Sequence, residues 1–254
     1  MVHFVGAGPG AADLITVRGQ RFLKEADVVI YAGSLVNLEL LESVKKGCKV
    51  FNSAHMTLEE VTAVMENAEK EGHVTVRLHT GDPSLYGAVR EQMDILDEKG
   101  IAYDSCPGVS SFCGAAAALN LEYTLPGISQ SVIITRTEGR TAVPERESVQ
   151  AFAAHGATMI LFLSAGLLHK LTGQLLSGGY KEDTPAAIVY KATWPEEEVH
   201  LCTVATLEAV AKENGISKTA LIIVGDAVLH NNYERSKLYH PEFTTGFRKG
   251  VKKL

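Results

Sequence analysis

Val2-His-Phe-Val-Gly-Ala-Gly-Pro-Gly10 begins as a short apolar run and passes at once into a loop of alternating glycines. A strand that ends in such a loop is how a layered α/β unit opens, because glycine lets a backbone turn sharply and be approached closely. Further apolar runs follow at Val28–Tyr31, Cys48–Phe51, Val74–Leu78 and Ala102–Tyr103, with amphipathic stretches between them. In the clearest of these, Thr57 to Glu71, residues Leu58, Val61, Val64, Met65 and Ala68 recur at helical spacing. It starts with the capping-box pattern Thr57-Leu-Glu-Glu60 and stops at Gly72. A second stretch, Val89 to Lys99, puts Val89, Met93 and Leu96 on one face and stops at Gly100. This alternation predicts a mostly parallel sheet whose ligands bind at the loops leaving the carboxyl ends of the strands.

The rhythm breaks around Glu122–Ile128, at Leu-Pro-Gly, and restarts with strand runs at Ser131–Thr135, Met159–Leu163, Ala186–Tyr190 and Ala220–Val224. A helix is expected from about Thr203 to Asn214, ended by Gly215. The fold class is therefore α/β with two α/β domains, residues 1–124 and 125–254. The tail from Asn231 to Leu254 is polar and increasingly basic; it reads as a solvated end, with a dimer or substrate contact as the alternative.

Composition narrows the function. The chain has 254 residues, 46% hydrophobic and 21% charged, the profile of a soluble globular enzyme. A formal charge of −6 argues against a nucleic-acid surface. The N-terminus has no basic region followed by an apolar one, and no apolar run is long enough to span a membrane, so the cytoplasm is the expected compartment. Four cysteines without a C-x-x-C pair suggest reduced, buried thiols, and nine histidines show no metal-ligand spacing, so no metal site is expected. Nucleophile-elbow, Walker A and H-E-x-x-H patterns are absent.

Four loops carry the chemistry. Gly6-Ala-Gly-Pro-Gly10, with Ala11 in the place of a third glycine, has the outline of a dinucleotide fingerprint. Pro9 removes an N–H that should face a pyrophosphate, and the acid expected after the second strand is missing, since that strand ends Val28-Val-Ile-Tyr-Ala32. Thr80-Gly-Asp-Pro-Ser-Leu-Tyr-Gly87 sets a sharp turn with Asp82 at a strand's carboxyl end. Cys106-Pro-Gly-Val-Ser-Ser111 precedes a small-residue helix at Gly114–Ala118; its hydroxyls read best as helix caps, with a pocket wall as the alternative. Thr135-Arg-Thr-Glu-Gly-Arg140, followed by Arg146, is a basic loop that reads as solvated unless a polycarboxylate is its ligand.

The order of these motifs, with Asp13-Leu-Ile-Thr16 just after the glycine loop, resembles the tetrapyrrole methylase family over nearly the whole chain. Tyr31-Ala-Gly-Ser-Leu-Val36 and Thr135–Arg140 resemble its branch that methylates C11 of precorrin-4, with or without cobalt. The resemblance implies homodimers that hold S-adenosylmethionine, folded, between two α/β domains and release S-adenosylhomocysteine. Cobalt would enter only as part of the precorrin substrate. It implies cofactor contacts at Pro9, Thr80, Gly81, Asp82, Leu85, Ser110, Ser111, Leu163, Ala192, Thr219, Ala220 and Leu221. Leu163 stands where relatives often carry Met, and Ala192 where several carry Gly. Gly8 would border the tetrapyrrole trough, and Arg18, His79, Arg136 and Arg140 would meet the substrate's acetate and propionate groups. Asp82 is the catalytic candidate, either supporting the sulfonium electrostatically or handling a proton. Alternatives are methylation of another tetrapyrrole carbon, as on precorrin-2 or uroporphyrinogen III, and RNA or diphthamide-pathway methylation on the same fold.

Overall fold

The opening apolar run becomes β1 (Val2–Gly6), buried along its whole length. The computed structural model describes residues 1–251, in two units. The first comprises Met1–Ala118 together with Lys191–Glu198; the second comprises Leu119–Tyr190 and the chain from Val199 onward.

In the first unit β1 is followed by α1 (Val17–Glu25), β2 (Val28–Tyr31), β3 (Lys49–Asn52), α2 (Leu58–Lys70), β4 (Thr75–His79), α3 (Arg90–Glu98), β5 (Tyr103–Cys106) and α4 (Ser111–Leu119). The sheet order is β3-β2-β4-β1-β5, every pair parallel. Alternation along the strands splits the core between the two faces. Val5, Val29, Val76 and Leu78 pack with Phe22 and Leu23 of α1. Phe4, Val28 and Ile30 pack with Val61 and Met65 of α2 and Met93 and Leu96 of α3. Each such side chain contributes about 1.5–3 kcal/mol on burial. The capping box at α2 forms as expected, with the Thr57 side chain accepting from the Glu60 N–H and the Glu60 carboxylate accepting from the Thr57 N–H. Because β4, β1 and β5 are parallel neighbours, the loops after His79, Gly6 and Cys106 emerge side by side at one edge.

The second unit runs β6 (Val132–Arg136), α5 (Val149–Ala153), β7 (Thr158–Phe162), α6 (Leu168–Ser177), β8 (Pro185–Tyr190), β9 (Glu198–Thr203), α7 (Leu207–Glu213) and β10 (Ala220–Val224). Its sheet is mixed, in the order β6-β7-β10-β8-β9, with β6 and β7 parallel and β10 antiparallel to both β7 and β8. Reversal of β10 brings its first residues to the edge where β7 ends, so Leu163 and Thr219–Leu221 share that edge.

One expectation, that of buried thiols, is corrected. The helix expected from about Thr203 forms as a 3-10 turn over Val204–Thr206 that runs directly into α7, and β9, which the sequence does not announce, lies just before it as an edge strand. In β9 the apolar Val199 and Leu201 are exposed, the reverse of the alternation that marks a strand in sequence. Of the four thiols only Cys106 is buried; Cys113 is exposed, and Cys48 and Cys202 are intermediate. In the tail, Arg248 anchors the chain by donating to the carbonyls of Leu238, His240 and Phe243. Residues 252–254 of that tail lie outside the described residues.

Candidate functional site

Three loops of the first unit interlock through glycine. A Cβ on Gly108 would sit 2.1 Å from the Gly81 carbonyl oxygen and 2.6 Å from Gly6 Cα; one on Gly6 would sit 2.4 Å from Gly108 Cα. No other residue type permits such backbone contact. Gly8 and Gly81, at φ +86° and +59°, pair as a short antiparallel bridge. Gly81 donates to the Gly8 carbonyl at 2.8 Å and Gly8 to the Gly81 carbonyl at 3.3 Å.

Asp82 ties two of these loops together. One carboxylate oxygen accepts from the Gly108 N–H at 2.8 Å, and the other from the N–H and hydroxyl of Ser84. Burial pushes its pKa up, but the Ser84 hydroxyl, the Gly108 N–H and the Ser84 N–H together hold it below the ordinary carboxylate value. Asp82 is therefore ionised at neutral pH. Thr80 and Leu85, close to it in the chain, are half-buried; on the third loop Ser110 is buried and Ser111 half-buried.

The N–H groups of the glycine loop are mostly occupied inside the protein. Ala7 donates to the His79 carbonyl at 2.7 Å, Gly8 to Gly81, and Ala11 to the Thr193 hydroxyl at 3.0 Å, while Pro9 has none. A loop in that condition offers little to a pyrophosphate. Its carbonyls are held as well: Asn37 donates to Gly10 at 3.0 Å, and the Trp194 indole N–H to Pro9 at 3.2 Å. Asn37, Thr193 and Trp194 escape sequence reading because their partners lie far away in the chain, 185 residues in the case of Trp194 and Pro9. Ala192, buried beside Thr193, belongs to this same segment of the first unit.

In the second unit, Leu163 adopts φ +52° with a side chain 68% exposed, and Thr219 adopts φ +56°. Lys191 and Thr193, which flank Ala192 in the first unit, are also left-handed at +45° and +70°. Ala220 is half-buried; Leu221 is buried in the sheet and can offer a ligand only backbone groups.

The expected carboxylate contacts divide. Arg18, at the start of α1, and Arg140 are exposed. Arg136 donates to the carbonyls of Thr141 and Ala142, at 3.2 and 2.8 Å, and so shapes its own loop. His79 does not fit the expectation. It is 4% exposed, and burial, followed by the nearby Arg77 guanidinium, lowers its pKa to about 3. A neutral, enclosed imidazole cannot serve as a cation for an acetate or propionate.

The family model of the tetrapyrrole (corrin/porphyrin) methylases matches residues 1–208. A cobalt-precorrin-4 C(11)-methyltransferase of Methanocaldococcus jannaschii is 50% identical over 253 residues, covering 100% of this chain and 98% of that protein. One of the same name from Priestia megaterium is 48% identical over 254 residues, covering 99% and 98%. A precorrin-4 C(11)-methyltransferase from a Sinorhizobium species is 43% identical over 248 residues, covering 97% and 98%. Among solved structures, the X-ray structure of a cobalt precorrin-4 methyltransferase matches with TM-score 0.88 and 46% identity, covering 89% of this chain and 95% of that one. A Thermus thermophilus uroporphyrin-III C-methyltransferase complexed with S-adenyl homocysteine matches with TM-score 0.73 and 25% identity, covering 89% and 92%.

Proposed function

Since the chain belongs to the tetrapyrrole (corrin/porphyrin) methylases, we propose that it transfers a methyl group from S-adenosylmethionine to C11 of cobalt-precorrin-4 in corrin synthesis. The observation that carries the cofactor reading is the charge of the interlocked loops. Across Gly6–Gly10, Thr80–Leu85 and Pro107–Ser111 the one formally charged side chain is the ionised Asp82. Such a surface suits a cationic sulfonium and repels a phosphate. Cobalt in the macrocycle is favoured because the relatives named for the cobalt form are 50% and 48% identical, against 43% for one named for the metal-free form. The cobalt belongs to the substrate.

S-adenosylmethionine supplies an already activated methyl, so the chain needs no covalent nucleophile; its task is alignment in a dry site. In the first unit Pro9, Thr80, Gly81, Leu85, Ser110, Ser111 and Ala192 are the cofactor contacts in this reading; in the second they are Leu163, Thr219, Ala220 and Leu221. Asp82 acts by position and charge; with its acceptors engaged and its pKa low, it is a poor proton carrier. Gly8 borders the substrate, and Arg18, Arg140 and the loop shaped by Arg136 receive its carboxylates. The working form is a homodimer, which light scattering would register as twice 27.3 kDa. Incubation with cobalt-precorrin-4 and methyl-labelled S-adenosylmethionine tests the reaction. The label appears at C11 by NMR; a label at another carbon, in RNA or in protein, refutes the assignment.

A further inference from the structure

We propose that Lys191–Glu198 is a latch on the glycine loop, with Trp194 the residue that positions Pro9 and Gly10 beside the methyl donor; this rests on the cofactor reading above. A loop built from Gly-Pro-Gly has little rigidity of its own at its glycines. In the first unit both the latch and Asn37, which donates to the Gly10 carbonyl, limit that freedom. The indole N–H holds the Pro9 carbonyl at 3.2 Å, and the indole edge fills the space where a Gly10 side chain would lie, 2.2 Å from its ideal Cβ. The Pro9 ring and the Thr193 methyl both come within 3.0 Å of where a Gly114 side chain would lie on α4, so Pro9 is boxed between helix and latch. The latch is itself held: Thr193, left-handed at +70°, donates its N–H to Glu197, and the Lys191 ammonium lies 5.8 Å from the centre of the indole ring. Backbone strain of this kind persists only where its surroundings enforce it. Trp194 is half-buried and is not among the residues of the core clusters packed on α1 or on α2 and α3, so its loss acts first on the loop.

Trp194 is the protein's single tryptophan, so indole emission reports on the latch alone. Titration of the full-length protein with S-adenosylhomocysteine, followed in parallel by calorimetry and indole fluorescence, changes the emission with the calorimetric Kd. Trp194→Phe keeps a ring against Gly10 but loses the hydrogen bond, and weakens binding about fivefold. Trp194→Ala weakens it about tenfold or more, with the melting temperature held within a few degrees. Gly10→Ala drives a methyl into the indole, with the Ala192 carbonyl 2.9 Å away, and abolishes binding; Gly10→Ala with Trp194→Ala relieves the indole part of the clash and restores part of the binding, a recovery that general destabilisation cannot produce. An emission unchanged at saturation, or Trp194 variants that bind within twofold of wild type, overturns the latch, and the fluorescence arm decides even if Trp194→Ala fails to fold. A wild-type protein that does not bind S-adenosylhomocysteine by calorimetry overturns the cofactor reading and the latch together.

Discussion

At the carboxyl edge of the first unit's sheet, the left-handed positions Gly8 and Gly81 are glycines; at the edge of the second unit they are Leu163 and Thr219. The glycines sit where backbone touches backbone. Leu163 instead keeps its side chain exposed at a φ that disfavours it. Tyr86 and Ala88, further along the first unit's Gly-Asp-Pro loop, follow this second pattern. Glycine thus marks where the chain must fit itself, and a retained side chain at positive φ marks where the side chain outweighs backbone ease. The sharpest way to break this contrast is to add one methyl in each unit. Gly108→Ala forces a carbon against the Gly81 carbonyl and Gly6 Cα, and should cost at least about 3 kcal/mol and eliminate S-adenosylhomocysteine binding. Gly173→Ala, in α6 with nothing within 4 Å, should gain about 0.5–1 kcal/mol. Thermal melts of both variants decide it, and equal shifts would end the distinction.

Asp82 gives the next largest effect, because it joins two of the interlocked loops. Asp82→Asn presents an amide NH2 either to the Gly108 N–H or to Ser84, and should cost about 2 kcal/mol by denaturant melts. The folded pKa is depressed, so this contribution is complete above the ordinary value of 3.8 and is lost as pH falls through the lower folded value. Asp82→Asn should therefore be less sensitive than wild type to pH below 3.8; an unchanged acid limb would contradict the depressed pKa.

The parts legible in sequence and the parts hidden follow the same division. β1, β2 and the α2 capping box are local patterns, and the structure matches them nearly residue for residue. The three loops of the first unit could be found because glycine, proline and aspartate announce turns without reference to the rest of the chain. β9 was hidden because its apolar side chains face outward, and Trp194 because its significance lies in a contact with Pro9. His79 misled for a related reason. The sequence shows a histidine at a strand end, but only packing reveals that it is enclosed next to Arg77.

That enclosure sets the third prediction. With a folded pKa of about 3 against an ordinary 6.5, unfolding takes up a proton on His79 between those limits. Stability is thus complete above 6.5 and falls as pH drops, by up to about 1.4 kcal/mol per pH unit for a single proton. His79→Gln should flatten this slope in urea melts between pH 6 and 4, while leaving the neutral-pH binding of carboxylate-bearing substrate within about twofold. A large loss of substrate affinity would return His79 to the carboxylate contacts.

The smallest expected effect tests the second half of the contrast. Leu163→Gly removes left-handed strain of about 1–2 kcal/mol but adds glycine's backbone entropy in the unfolded chain, about 0.5–1 kcal/mol. Leu163 is two-thirds exposed and lies outside the hydrophobic core of the second unit, so little packing is forfeited. The net result should be a stabilisation of about 0.5 kcal/mol, a shift of a degree or so in melting temperature. Leu163→Ala keeps the strain, loses the same apolar surface, and should show no such gain. If the side chain is retained to meet the cofactor's apolar face, both variants should weaken S-adenosylhomocysteine binding alike, whatever their stabilities. Stabilisation with unchanged affinity would leave the left-handed leucine without that role, and the second unit's edge would then have to be read as strained for some reason other than the ligand.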